Sequence, residues 1–189
     1  MIETLHRWDC ALLLKLNAIH SPFWDTLMSA ATGRFFWIPL YLLLLGLIIV
    51  RFRKKTLLIL PMLALMVLLA DQSSRLMKSS CKRERPCYNE TISGQLNVYD
   101  GCGGRYGFVS SHAANTFGLA MFMFLLWKGR RGRRWMLLVF LFAIFASYTR
   151  IYLGVHYPLD IAGGAIVGML SAWVVILIYR KWIEGLIKE

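Results

Sequence analysis

Five long apolar blocks, separated by shorter polar segments, set the pattern of this chain. The blocks are Phe35 to Val50, Thr56 to Ala70, Val109 to Trp127, Trp135 to Ser147, and Leu159 to Tyr179. A spanning helix needs roughly 20 residues. The shorter blocks must therefore include polar residues at their ends, which would lie near a membrane surface. The pattern predicts an all-α integral membrane helical bundle with five spanning helices, and residues 1–189 are expected to form a single membrane-embedded domain.

The segment before the first block is too short in apolar residues to span a membrane comfortably. Its apolar positions suggest an amphipathic helix with a mostly apolar face that includes Leu5, Trp8, Leu12 and Leu16. Such a helix typically lies in the plane of the membrane surface. We expect an N-terminal interfacial helix on the outer face; the alternative is a re-entrant or sixth spanning helix.

Composition supports a membrane protein and changes how the charge is interpreted. The chain is 58% hydrophobic and 17% charged, whereas soluble domains are about 45–50% apolar and about 25% charged. The net charge of +12 would suggest a nucleic-acid partner in a soluble protein. However, twelve of the 22 Lys and Arg residues lie in segments 51–55, 128–134 and 180–188, which alternation puts on one face. The positive-inside rule assigns that face to the cytoplasm, so no nucleic-acid partner is expected.

The opposite, outer face holds the cysteines. Cys81, Cys87 and Cys102 lie in the long outer loop, and Cys10 joins them if the first helix is interfacial. An oxidising compartment permits disulfides, but four cysteines allow three full pairings and the sequence does not choose among them. Free thiols are the other interpretation.

Three polar clusters interrupt the apolar pattern. The first runs from Lys78 to Pro86 after the second span, and the second from Val109 to His112 at the start of the third. The third bridges the fourth and fifth spans and consists of Arg150, His156 and Asp160. Alternation of the spans places all three clusters at the same outer membrane surface.

These clusters contain three cations and the predicted start of a helix, which together are suited to binding a phosphate group. Lys78, Arg85 and Arg150 would face one another; the forked donors of Arg match phosphate oxygens and Lys adds a compact charge. Ser110 and Ser111 precede a helix that begins at the outer face, where unpaired backbone N–H groups favour an anion. The sequence therefore predicts an anion-binding site.

Two histidines and a carboxylate add the groups needed for catalysis. Either His112 or His156 could attack phosphorus while the other imidazole protonates the leaving oxygen. Asp160, hydrogen-bonded to the far ring nitrogen of a histidine, would fix the tautomer of that histidine and stabilise the cation that forms on it. The predicted chemistry is nucleophilic catalysis at phosphorus.

These residues resemble the type 2 phosphatidic acid phosphatase superfamily, membrane lipid phosphatases related to vanadium haloperoxidases. The family pattern is K-x6-RP, then PSGH, then SR-x5-H-x3-D. Lys78 with Arg85-Pro86 matches the first part. The third part matches in spacing through Arg150, His156 and Asp160, with Thr149 in place of Ser. The middle part has Val109-Ser110-Ser111-His112 and departs at the Pro and Gly positions.

The resemblance implies a role for each matched residue. His156 would be the nucleophile that forms a phosphohistidine, Asp160 would orient it, and His112 would be the general acid and later help to activate water. The phosphate would be bound by Lys78, Arg85, Ser110, Arg150 and the backbone N–H of Ser111. No metal and no other cofactor is expected.

The expected activity is hydrolysis of a phosphate monoester, or of the terminal phosphate of a diphosphate, on a membrane lipid at the periplasmic face of a bacterial inner membrane. Undecaprenyl diphosphate and a lipid A phosphate are the favoured substrates, and phosphatidylglycerol phosphate and phosphatidate are alternatives. A lipid phosphotransferase and a non-enzymatic lipid-phosphate-binding or transport protein are rival functions. The sequence does not indicate an oligomeric state.

Charged residues outside the motifs have simpler interpretations. Lys82, Arg83 and Arg105 are expected to be solvated loop charges or contacts to lipid headgroups. Asp71 and Arg75 stand four residues apart on a helix and are expected to pair.

Overall fold

The computed structural model describes residues 2–33, 35–99, 101–127 and 129–183. Most of these residues are helical, which confirms the all-α prediction. The seven α-helices are α1 (Ile2–Asn17), α2 (Pro22–Thr32), α3 (Ile38–Phe52), α4 (Thr56–Cys81), α5 (Ser111–Leu126), α6 (Arg130–Tyr152) and α7 (Pro158–Ile178). Each of the five predicted spans corresponds to one of the helices α3 to α7.

Helices α3 and α4 form an antiparallel hairpin. The 3₁₀ turn Arg53–Lys55 joins them, and Arg53 has a φ of 49°. The Oγ1 of Thr56 donates to the carbonyl of Ile48 at 3.4 Å. Tyr41 from α3 and Val67 from α4 line one cavity. The chain therefore reverses at its first basic linker, as a pair of spanning helices requires.

Three stretches of the described residues are long and apolar enough to cross a membrane. They are Ile38–Cys81, which contains the hairpin, Arg130–Tyr152 and Pro158–Lys181. Helix α5 is apolar but shorter, at 16 residues. These lengths support membrane embedding, and the number of five spans stays a prediction.

Helix α5 lies at the centre, packed against α4, α6 and α7. Its closest neighbour is α7, because glycines face each other there. A Cβ added to Gly168 would lie 1.9 Å from the carbonyl oxygen of Ala114, and one added to Gly164 would lie 2.4 Å from that of Ser110. The two backbones are therefore in direct contact, which sets the distance between the starts of α5 and α7.

The N-terminal region forms two helices, of which α2 was not predicted. Ser21 caps α2 by accepting from the Trp24 N–H, and Pro22 follows at the first helical position. Both are common start signals. In α1, the apolar residues Leu5 and Trp8 are exposed, whereas Asp9, Leu13 and Asn17 are buried against the bundle. Placement of α1 on a membrane surface stays a prediction.

The loop between α4 and α5 is held by one disulfide and one asparagine. The disulfide joins Cys87 and Cys102, and Cys10 and Cys81 are free. Asn17 from α1 donates to the carbonyls of Asn97 at 3.1 Å and of Tyr152 at 2.6 Å, and it accepts from the Asn97 N–H at 2.7 Å. This loop is thereby tied to α1 and to the end of α6. The structure thus selects one pairing that the sequence left open.

Candidate active site

A buried histidine and carboxylate form the centre of the site. His156 lies in the short turn between α6 and α7, and Asp160 lies in the first turn of α7, where Pro158 starts the helix. Their relative exposures are 3% and 0%. The Nδ1 of His156 lies 3.2 Å from Oδ2 of Asp160, which also accepts from the Tyr157 N–H at 3.1 Å. This geometry favours the tautomer with a proton on Nδ1 and a lone pair on Nε2.

The surroundings keep His156 neutral. Burial lowers the pKa of His156 to about 4; Asp160 opposes this shift, and the nearby guanidinium groups of Arg85 and Arg150 add to it. A neutral imidazole at pH 7 has the lone pair that a nucleophile requires. The carboxylate behind it would stabilise the cation formed on attack.

The start of α5 brings the second cluster to this pair. Ser110 caps α5, with Oγ accepting from the Ala113 N–H at 3.4 Å. Its own N–H donates to the Asp160 carbonyl at 2.9 Å, which ties the starts of α5 and α7 together. The Nε2 of His112 is buried and has no hydrogen-bond partner in the described part of the chain. A buried ring nitrogen without a partner suits an acid whose acceptor arrives with the substrate.

The three predicted cations lie around the histidines. The Nζ of Lys78, in the last turn of α4, contacts the Oγ of Ser111 at 2.5 Å. Arg85 donates from Nη1 to the Cys102 carbonyl at 3.1 Å. Arg150, at the end of α6, donates from Nη1 to the Thr32 Oγ1 at 2.6 Å.

Arg85 has donor capacity beyond that bond. Its Nε is buried and has no hydrogen-bond partner among the described residues. Burial lowers the pKa of Arg85, and Asp160 opposes that shift. An approaching anion would therefore stabilise the charged guanidinium. All eight predicted site residues thus lie at the end of the bundle where α4 and α6 end and α5 and α7 begin.

Gly107 lets these groups meet and was not identified from the sequence. A Cβ at this position would lie 3.0 Å from Oδ2 of Asp160, 3.1 Å from Cγ of Arg85 and 3.5 Å from Nδ1 of His156. The loop backbone therefore passes directly against the three side chains. A single glycine in a loop gives no signal of this kind without the fold.

The interpretation of Arg83 as a solvated charge is wrong. Its Nη1 donates to Oδ1 of Asp160 at 2.8 Å and its Nη2 donates to Oδ2 of Asp9 at 2.6 Å. The guanidinium also lies 4.1 Å from the ring centroid of Tyr157. The sequence hid this role because Asp9 lies 74 positions away, on a helix that was expected to lie at the interface.

The neighbouring charges behave as expected. Lys82 is exposed, and Arg105 pairs with Glu84 at the surface. The predicted pair of Asp71 and Arg75 is present at 2.8 Å.

Two cavities with shared lining residues lie near His112. The first, of about 350 Å³, is lined by Thr32, Trp37 and His112 together with Tyr41, Asn115 and Thr116. Those last three also line the second, of about 320 Å³. Its other walls are apolar and come from α3, α4 and α5, and they consist of Leu44, Leu45, Ile48, Leu60, Leu63, Val67, Leu119 and Met123. A polar cavity beside a histidine thus has an apolar groove between helices as its neighbour.

Comparison with known proteins places this geometry in a family. Residues 56–184 match the family model described as the PAP2 superfamily. A lipid A 4'-phosphatase of Bacteroides thetaiotaomicron is 41% identical over 186 residues, which cover 96% of this chain and 81% of that protein. A lipid A 4'-phosphatase of Porphyromonas gingivalis is 30% identical over 171 residues, covering 89% and 71%.

Two solved structures have the same fold. LpxE of Aquifex aeolicus superposes with a TM-score of 0.67 at 24% identity, covering 88% of this chain and 93% of that one. The first transmembrane PAP2 type phosphatidylglycerolphosphate phosphatase from Bacillus subtilis also gives a TM-score of 0.67, at 22% identity, covering 95% and 88%.

Proposed function

This chain belongs to the PAP2 superfamily, and from that premise we propose that it removes a phosphate group from a membrane lipid through a phosphohistidine. It is a lipid phosphatase, as its relatives are. The observation that carries the proposed mechanism is the arrangement of the two histidines. His156 is held by Asp160 at 3.2 Å, and His112 has a buried Nε2 without a partner in the described residues.

The first half of the proposed reaction forms the intermediate. The Nε2 lone pair of His156 attacks phosphorus, and the bond from phosphorus to the leaving oxygen breaks. His112, in its imidazolium form, gives its proton to that oxygen and becomes neutral, so a neutral alcohol or a protonated phosphate leaves. Lys78, Arg85 and Arg150 stabilise the charge on the remaining phosphoryl oxygens.

The second half releases phosphate. His112, now deprotonated, takes a proton from water as the water oxygen attacks phosphorus. The phosphorus–nitrogen bond breaks, and its electron pair returns to His156. Asp160 stabilises the imidazolium of His156 whenever it forms. A phosphotransferase would use the same steps with a lipid hydroxyl in place of water, and a binding or transport protein would need the cations but not both histidines.

The proposed substrate is a lipid A phosphate, at the 4′ position. Both relatives with high coverage carry the name lipid A 4'-phosphatase. The apolar groove shares Tyr41, Asn115 and Thr116 with the cavity beside His112, and its apolar walls suit an acyl chain attached close to the phosphate. Undecaprenyl diphosphate is the alternative, since its chain would fit the same groove.

The proposed location is a bacterial inner membrane with the site on the periplasmic side. The basic segments 51–55 and 128–134 resist transfer across a membrane and are assigned to the cytoplasm. A single cysteine at Gln95 or Arg131, in a variant with Cys10 and Cys81 replaced by Ser, tests this. An impermeant thiol reagent on intact cells is expected to label position 95 and not 131. The reverse pattern contradicts the orientation.

The activity is tested with purified protein in detergent on three substrates: lipid A, undecaprenyl diphosphate and phosphatidylglycerol phosphate. Released phosphate gives the rate, and mass spectrometry of the product gives the position dephosphorylated. Loss of the 4′-phosphate is expected from wild type and from His20→Ala, which alters an exposed histidine, and not from His156→Ala. Faster turnover of undecaprenyl diphosphate supports the alternative. Folded wild type that is inactive on all three lipids refutes the proposal.

A further inference from the structure

Two ion pairs connect α1 to the carboxylate behind His156. Asp9 of α1 is 3% exposed. Its Oδ2 accepts from Nη2 of Arg83 at 2.6 Å, and Nη1 of Arg83 donates to Oδ1 of Asp160 at 2.8 Å. Asp160 in turn holds His156. Neither Asp9 nor Arg83 belongs to the three family motifs.

The two carboxylate oxygens of Asp160 have different hydrogen-bond partners. Oδ2 faces Nδ1 of His156 and the N–H of Tyr157, whereas Oδ1 receives the charged bond from Arg83. Rotation of the carboxylate would break contacts on both sides at once. Arg83 therefore fixes the plane of the carboxylate that orients the imidazole.

Asp9 fixes Arg83 and the start of α7 together. Its Oδ1 accepts from the Leu159 N–H at 3.0 Å, in the first turn of α7. A carboxylate at a helix N-terminus satisfies an unpaired N–H group and is favoured by the helix dipole. The face of the Tyr157 ring covers the guanidinium of Arg83. Arg83 is thus held from α1 and from the turn before α7.

Arg83 is poorly placed to serve as a phosphate ligand. Both of its terminal nitrogens bond to carboxylates, and a buried charge that loses its partner is strongly destabilised. Exchanging these partners for a substrate phosphate would leave Asp9 and Asp160 buried without their cation. The cations that remain for the phosphate are those already assigned in the motifs.

We propose that Arg83 and Asp9 are positioning residues for the nucleophile: they hold Asp160, and through it His156, in the orientation for attack. The inference rests on the proposed phosphohistidine mechanism and extends it to a helix outside the region matched by the family model. It predicts an effect on the chemical step and none on substrate binding.

The test measures kcat and KM on the lipid that wild type hydrolyses. Arg83→Gln removes the charge, Arg83→Lys keeps it without the fork, and Asp9→Asn keeps an oxygen for the Leu159 N–H. Arg105→Gln is the matched control, because this arginine lies on the same loop and pairs with Glu84 at the surface. Thermal unfolding in detergent reports folding of each variant.

Arg83→Gln is expected to lower kcat by about 10- to 100-fold, the effect known for losing a carboxylate partner behind a metal-bound histidine, with KM within about twofold of wild type. Arg83→Lys is expected to recover part of kcat. Asp9→Asn is expected to lower kcat less, and to add little to Arg83→Gln in the double variant because both act on one network. Arg105→Gln is expected to match wild type.

Wild-type kcat in folded Arg83→Gln overturns the inference. So does a raised KM with unchanged kcat, which would make Arg83 a substrate ligand. If Arg83→Gln does not fold, Asp9→Asn decides: an unchanged kcat in that variant also overturns the inference. An inactive wild type refutes the proposed function instead, so the two failures are distinguishable.

Discussion

Substitution of Gly168 by Ala tests whether backbone contact between α5 and α7 sets the geometry of the site. The new Cβ would lie 1.9 Å from the carbonyl oxygen of Ala114 and 2.9 Å from the Gly118 nitrogen. Because Cβ atoms essentially never come within 3.0 Å of other atoms, the backbones must separate by about 1.1 Å locally. Both atoms belong to the main chain, so no side-chain rotation relieves the clash.

The separation has two expected costs. Overpacking of this kind destabilises a protein by about 1–3 kcal/mol, and occasionally more. Helix α5 carries His112 and α7 carries Asp160. A displacement of about 1 Å at reacting groups lowers a rate by about 100-fold, so phosphate release is expected to fall by roughly that factor.

Gly46→Ala is the matched control. Gly46 lies in α3, and a Cβ there meets nothing within 4 Å. Replacing a helical glycine by alanine favours the helix by up to about 1 kcal/mol, so this variant is expected to keep its activity and to unfold at the same or a higher temperature. The assays are thermal unfolding in detergent and phosphate release. Equal stability and activity in the two variants would refute the reasoning.

Three further predictions concern the loop, the groove and the histidine. Reduction of the Cys87–Cys102 disulfide is expected to slow phosphate release, because the Cys102 carbonyl holds Arg85; an unchanged rate in reductant argues against that link. Leu63→Trp fills the apolar groove, so KM is expected to rise for a long-chain lipid phosphate and not for a soluble aryl phosphate. An equal change in KM for both substrates contradicts the placement of the acyl chain in the groove. The free energy of unfolding is expected to fall by about 3 kcal/mol from pH 6.5 to pH 4, because His156 binds a proton in the unfolded chain that it does not bind when buried and neutral. His156→Gln should lack this part of the pH dependence. Identical pH profiles of unfolding for wild type and His156→Gln would contradict the prediction.

The helices that carry the motifs could be predicted because their signals are local. Apolar blocks and basic linkers mark α3 to α7, and the motif spacing places His156 and Asp160 one helical turn apart. The block ending at Ala70 continues as helix to Cys81, which brings Lys78 to Ser111 at the start of α5. Polar residues at helix ends were expected from the membrane thickness.

The support of the site could not be predicted, because it depends on contacts between distant parts of the chain. Asp9 and Arg83 are separated by 74 positions, and Asn17 and Asn97 by 80. Neither pair has a local spacing that distinguishes it from surface charge or loop polarity. The choice among disulfide pairings likewise depends on the path of the loop, which brings Cys87 and Cys102 together.

The position of Asp9 has a consequence for how this protein can diverge. The family model begins at residue 56. The reacting groups and Arg83 therefore lie within the matched region, whereas Asp9 lies before it. A substitution of Asp9 leaves Arg83 paired with Asp160 alone. A substitution of Arg83 leaves two buried acids, Asp9 and Asp160, without their cation. If the two residues position the nucleophile as proposed, selection is expected to act on them jointly. Among homologues that retain α1, an acid at position 9 and an arginine at position 83 are expected to be lost together, while the motif residues persist regardless of either.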